Sequence, residues 1–132
     1  MGPQGPAGLN GAALGVVNRT ATAVALPNTN ANQTVATLSL TAGKYLVTGK
    51  LDVRRSTTGS VSVICELRDG ATVVETASFF VSSTNWFTPI FVMPLQPTGA
   101  VTVTMVCRTG STSVTVQNRA LSAVLLQTLT IQ

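Results

Sequence analysis

Three observations predict an all-β fold, an antiparallel sandwich or barrel. From Val16 onward, apolar residues recur with a period of two and no window repeats convincingly at helical spacing. Val, Thr, Leu and Ile dominate this stretch, while Gly, Pro, Asn and Ser punctuate it as turns require. The segments marked off in this way are short and closely spaced, which fits strands joined by hairpins and short crossings.

The first residues differ from the rest. Glycine stands at positions 2, 5, 8 and 11, and proline follows it directly at Pro3 and Pro6. This is the collagen triplet, in which only a residue without a side chain fits at the axis where three polyproline-type strands meet. A flexible Gly/Pro linker is the alternative. The phase breaks at Leu14, so residues 1–14 read as a collagen-like segment and 15–132 as a separate β-sandwich domain.

The predicted strands lie near 16–25, 34–40, 44–54, 60–68, 72–81, 86–95, 100–108, 112–117 and 120–131. In 44–54, Tyr45, Val47, Leu51 and Val53 share one side and Lys44, Thr48, Lys50, Asp52 and Arg54 the other, so one face is dry and one wet. The same division holds in 60–68, with Val61, Val63, Cys65 and Leu67 opposed to Ser62, Glu66 and Arg68. Asp69-Gly70 reads as a hairpin turn, and Gly49 as the mark of a bulge.

Two segments lack a wet side. Trp86 to Leu95 and Leu121 to Ile131 are apolar, or nearly so, on both parities. A strand in a two-layer sandwich has one face on the core, so the second apolar face calls for another cover; a second copy of the chain is the natural one, and an irregular sandwich or a long loop over the patch is the alternative. Phe87, Phe91, Met93, Leu121, Leu125 and Leu129 are the candidate residues for that contact. Pro89 and Pro94 place the first segment at a sheet edge or bulge.

Composition narrows the function classes. Hydrophobic residues make up 45% of the 132-residue chain and charged residues only 9%, against about 25% in an average globular protein, so hydroxyl and amide groups or other copies must cover much of the exterior. Histidine is absent, which removes Ser-His-Asp and Cys-His nucleophiles and histidine metal sites. The acids Asp52, Glu66, Asp69 and Glu75 are few for a calcium cage, and no cofactor or metal site is expected. The net charge of +4 reflects scarce carboxylates, since the cations are scattered and only Arg54-Arg55 are adjacent; nucleic-acid binding is not expected. No apolar run reaches the roughly 20 residues of a membrane helix, so no membrane insertion is expected.

Cys65 and Cys107 lie on the inward parity of their strands and can meet if those strands are neighbours, as a disulfide or as two buried thiols. No histidine is present to activate either as a nucleophile. Asn18-Arg19-Thr20 and Asn32-Gln33-Thr34 match the glycosylation acceptor pattern, which a chain rich in Thr and Asn produces by chance.

Collagen triplets followed by an all-strand domain resemble the bacterial and phage collagen-like proteins whose stalk ends in a trimeric jelly roll similar to the tumour necrosis factor and complement heads. Gly2 to Ala13, Leu38 to Val47 with its Gly43-Lys44-Tyr45 turn, and the closing strand Leu121 to Ile131 carry the resemblance. It implies a TNF-like antiparallel jelly-roll sandwich, a homotrimer, and a structural, non-catalytic role in registering and capping the stalk of an extracellular, cell-surface, spore-surface or virion fibre. The sequence departs from the animal members in having few aromatics. The alternative is a fibre tip that binds a host receptor or glycan, for which Trp86, beside Asn85 and the Ser82-Ser83-Thr84 loop, is the candidate contact.

Overall fold

The computed structural model describes residues 15–27, 29–55, 59–82, 85–110 and 114–126. The triplet segment 1–14, the Ser83-Thr84 part of the loop and Leu129 lie outside the described residues. The elements are β1 (Gly15–Thr20), β2 (Val24–Ala25), β3 (Gln33–Leu40), β4 (Tyr45–Arg55), β5 (Val61–Asp69), β6 (Thr72–Val81), β7 (Ile90–Leu95), β8 (Val101–Thr109) and β9 (Val114–Leu125). They form two antiparallel sheets, one in the order β1-β9-β4-β7 with β2 also on β9, the other β3-β8-β5-β6. Their inner faces close on one core, an all-β sandwich.

Alternation explains the layers. Tyr45, Val47, Leu51 and Val53 of β4 and Val63, Cys65 and Leu67 of β5 are buried, as the sequence pattern predicts. Each meets a strand of like pattern: Val47 lies between Met93 and Ala123, and Leu67 beside Met105. Thr72 pairs with Asp69, leaving Gly70 and Ala71 as a two-residue loop, one position later than the expected Asp69-Gly70. Gly70 has φ of 60°, the conformation that makes glycine favoured in tight hairpin loops.

Three expectations about strand limits change. The predicted strands 112–117 and 120–131 are one strand, β9, because Asn118 at φ 48° absorbs an extra residue without ending the pairing. The register with β4 steps from Lys50↔Ala120 to Asp52↔Gln117, so Asn118 and Arg119 together oppose Leu51. Segment 16–25 is interrupted at the same level: β1 ends opposite Arg119 and β2 resumes opposite Val116. Segment 86–95 contributes only an isolated bridge from Phe87 to Val53 before β7 starts at Ile90. Pro89 lies between the two, and β7, which also contains Pro94, is the sheet edge that a missing N–H tolerates.

Gly49 does not mark the bulge. It pairs directly with Phe91 and Leu121, one residue before the register steps. A Cβ there would stand 3.0 Å from Leu67 Cδ2, 3.2 Å from Met105 Sδ and 3.3 Å from Leu121 Cδ2, so glycine leaves room for three core side chains. Gly49→Ala overpacks this point and is expected to lower stability by about 1–3 kcal/mol, read from a chemical-denaturation midpoint.

Cys65 and Cys107 are cross-strand neighbours on β5 and β8, with Cα atoms 4.1 Å apart, and form a disulfide. It closes a loop of 42 residues, a constraint on the unfolded chain that chain-entropy arithmetic puts at about 4 kcal/mol. Reduction, or the double change Cys65→Ala/Cys107→Ala, should lower the thermal midpoint by several degrees; an unchanged midpoint would contradict a stabilising role for the bond.

Candidate functional site

The outer face of the five-stranded sheet is the feature that one sandwich leaves unexplained. Paired residues share a face, so the register gives its composition directly. One row reads Gly15, Val124, Leu46, Pro94 across β1, β9, β4 and β7. The next reads Val17, Ser122, Thr48, Val92, and the third Arg19, Ala120, Lys50, Ile90. The first two rows contain no charge. Ile90 is 62% exposed, Val17 55%, Val92 48%, Leu46 39% and Val124 38%.

The opposite outer face is built from other chemistry. Thr37, Thr104, Arg68 and Val73, the last 44% exposed, stand in one row there, and Thr34, Val106, Glu66 and Thr76 in another. Glu66 is buried, held by Arg108 Nη1 donating to its Oε2 at 2.9 Å and Arg68 Nε donating to its Oε1 at 2.9 Å. Phe80, 74% exposed, stands opposite Ser62 toward one end. Hydroxyls and a closed ion cluster suit water; two uncharged rows carrying Leu46, Val17, Val92 and Val124 do not.

Of the six residues expected at a contact between copies, four lie in the core of the single chain or against it, and Phe87 is 46% exposed. Phe91, Met93 and Leu121 are buried between the sheets, and Leu125 packs against that core beside Tyr45. Phe87 sits at the open side of the sandwich, its ring 5.7 Å from that of Phe79, which in turn lies 6.5 Å from Phe91. Leu129 is outside the described residues. Where both parities are apolar, alternation alone cannot say which side is inside; here Phe91, Met93 and Leu95 turn inward and Ile90, Val92 and Pro94 outward. Ile90, Val92 and Pro94 are therefore the residues of β7 that the outer face of this sheet presents.

Trp86 is 37% exposed, and the Arg54 guanidinium lies over its ring at 4.5 Å from the centroid. Asn85 is exposed beside it. Polar groups gather next to this corner: Thr88 Oγ1 donates to Asp52 Oδ1 at 2.7 Å and Asn118 Nδ2 to Asp52 Oδ2 at 2.8 Å. Among the described residues no group of three or more His, Cys, Asp or Glu is placed to hold a metal ion, and no helix is long and apolar enough to cross a membrane.

No protein-family model matches this sequence, and no curated protein matches it. Its fold is similar to that of a chain of the T13 viral particle of infectious bursal disease virus, with a TM-score of 0.60 and 16% identity, covering 87% of this chain and 32% of that one. The Gt strain of the same virus gives 0.59 and 13%, covering 87% and 34%. A Stig cyclase from Fischerella sp. TAU gives 0.51 and 16%, covering 73% and 56%. The shared property is the fold. The present chain spans about a third of the viral chains' length. Particle proteins and a cyclase share the architecture, so the likeness assigns no activity.

The Glu66 carboxyl is held below its ordinary pKa by the hydrogen bond from Arg108 and then that from Arg68, with burial acting the other way. Asp52 is lowered by Asn118 and Thr88. A depressed folded pKa gives stability that is complete above the unfolded value, about 4.3 for a glutamate, and is lost as pH falls through the folded value. Glu66→Gln is therefore expected to flatten the loss of stability below about pH 4.5, measured as denaturation midpoints across an acid series.

Proposed function

We propose that this chain is a structural, non-catalytic module that associates as a homotrimer through the outer face of its β1-β9-β4-β7 sheet, registering and capping a collagen-like stalk of a surface, fibre or virion protein. The observation that carries the reading is the pair of uncharged rows formed by Leu46, Thr48, Val92, Pro94, Ser122 and Val124 with Val17 on β1. Apolar surface of this kind gains by leaving water, and a second copy offers matching surface.

Strand order supports the same reading. The orders β1-β9-β4-β7 and β3-β8-β5-β6 are those of a jelly roll whose first strand is split into β1 and β2. The number three comes from the glycines at positions 2, 5, 8 and 11, since a triple helix needs three chains at its axis. Joining three heads at one end raises the effective concentration of the three stalk strands and removes the search for their register. Fold likeness to viral-particle chains supports an assembling, virion-type role.

The glycan- or receptor-binding tip has less support. Arg54 covers one face of the Trp86 indole, the surface on which a sugar ring would stack.

Sedimentation tests the assembly. At micromolar concentration and high salt, the chain is expected at about three times its 13.6 kDa mass, because the contact is apolar and salt does not weaken it. Val92→Asp, at a position exposed in the single chain, should give a folded monomer by far-UV circular dichroism and sedimentation, and Phe80→Asp on the opposite face should leave the trimer intact. A monomeric wild type, or equal masses for all three proteins, would overturn the reading.

A further inference from the structure

At the charged end of the same sheet, the β9 bulge opens a cleft of about 420 Å³ lined by Arg19, Thr20, Lys50, Asn118, Arg119 and Ala120 among others. The bulge builds it. Asn118, left-handed at φ 48°, turns its amide to Asp52, and Arg119 runs the other way into the molecule, where it is 8% exposed. There Arg119 Nη1 donates to the Val35 carbonyl at 3.1 Å, and Nη2 donates to the carbonyl and hydroxyl of Thr22 at 3.1 and 3.2 Å. All of these acceptors are neutral. Nε of Arg119, also buried, has no hydrogen-bond partner.

Above it, Arg19 and Lys50 flank Ala120 in one row of the sheet, a methyl group between two exposed cations. Among the described residues no carboxylate lines the cleft. Asp52, whose carboxylate feels the charge of Lys50, accepts hydrogen bonds from Asn118 and Thr88. The salt bridges among the described residues both go to Glu66 on the opposite sheet, so Arg19, Lys50 and Arg119 form no ion pair there. Two exposed cations, Arg19 and Lys50, thus face one concave site, with the buried guanidinium of Arg119 beneath it and Asp52 held beside it by Asn118, and a cationic concavity with a small-residue floor favours a compact anion.

We propose that this cleft binds an oxyanion, a carboxylate, sulfate or phosphate group, clasped by Arg19 and Lys50 with the buried Arg119 adding positive potential from below. The site lies within one chain, so it holds whether or not the copies associate.

Isothermal titration of the full chain with sulfate, phosphate and glucuronate, each against chloride at matched ionic strength, tests it. Saturable binding is expected for at least one of them, weakened tenfold or more in Lys50→Ala and in Arg19→Ala and unchanged in Lys44→Ala, an exposed lysine outside the cleft. Glucuronate binding with none by the inorganic ions assigns the carboxylate of an acidic sugar as the source; inorganic binding alone assigns a free anion. No saturable binding by any probe, or equal loss or equal retention in all three variants, would overturn the proposal. All three positions are exposed, so circular dichroism is expected to report a folded chain throughout. Sedimentation of the same samples separates this outcome from that of the assembly: a monomer that binds refutes only the trimer, and a trimer that does not bind refutes only the anion site.

Discussion

The pairing of β4 with β9 at the centre of the five-stranded sheet fixes which side chains close the core and which form the outer face. These strands, 11 and 12 residues long, lie side by side at the centre of their sheet; their inner faces are apolar, and outward each places one large apolar residue, Leu46 and Val124, among polar ones. Inward, Val47, Leu51, Val53, Val116, Leu121 and Ala123 complete the core against the second sheet. Outward, Leu46 and Val124 stand in one row and Thr48 and Ser122 in the next, extended by Pro94 and Val92 of β7. A two-layer sandwich has only one interior, so the inner set is covered by the fold and the outer set faces outward in the single chain.

The scarcity of charge makes sense in this frame. With 9% charged residues, the chain cannot screen every face, and it concentrates them instead. Glu66, Arg68 and Arg108 close an ion cluster on the four-stranded sheet, amid Thr and Ser that can hydrogen-bond to water. On the five-stranded sheet, Arg19 and Lys50 appear only in the third row, where the bulge at Asn118 ends the apolar surface and turns Arg119 inward. The two outer faces thus differ: the four-stranded sheet mixes hydroxyls and an ion cluster with exposed Val73 and Phe80, and the five-stranded sheet joins two uncharged rows to a charged end where Arg19 and Lys50 stand near Asp52.

Much of the architecture was legible in the sequence because alternation is unambiguous wherever one parity is polar. The 44–54 and 60–68 segments are examples, and their inward residues are those the pattern names. The outward set was not legible for the opposite reason: in 90–95 both parities are apolar, and only the partner strands decide that Phe91 and Met93 face the core while Ile90 and Val92 do not. The β9 bulge leaves a trace in the sequence. Val114 and Val116 are inward on even positions, Leu121 and Ala123 on odd ones, and one extra residue must lie between them. No local pattern pairs Glu66 with Arg108 or brings Arg19, Lys50 and Arg119 to one cleft, because strand register over long sequence separations does that.

Carbene footprinting of the full chain at micromolar concentration tests the central claim most directly, because it reads the cover on each side chain without changing any of them. If copies cover the outer face of β1-β9-β4-β7, Leu46, Val92 and Val124 are labelled far less than their exposure in one chain implies, while Phe80 on the other sheet is labelled in full. Labelling of Leu46, Val92 and Val124 in proportion to their single-chain exposure would contradict the account.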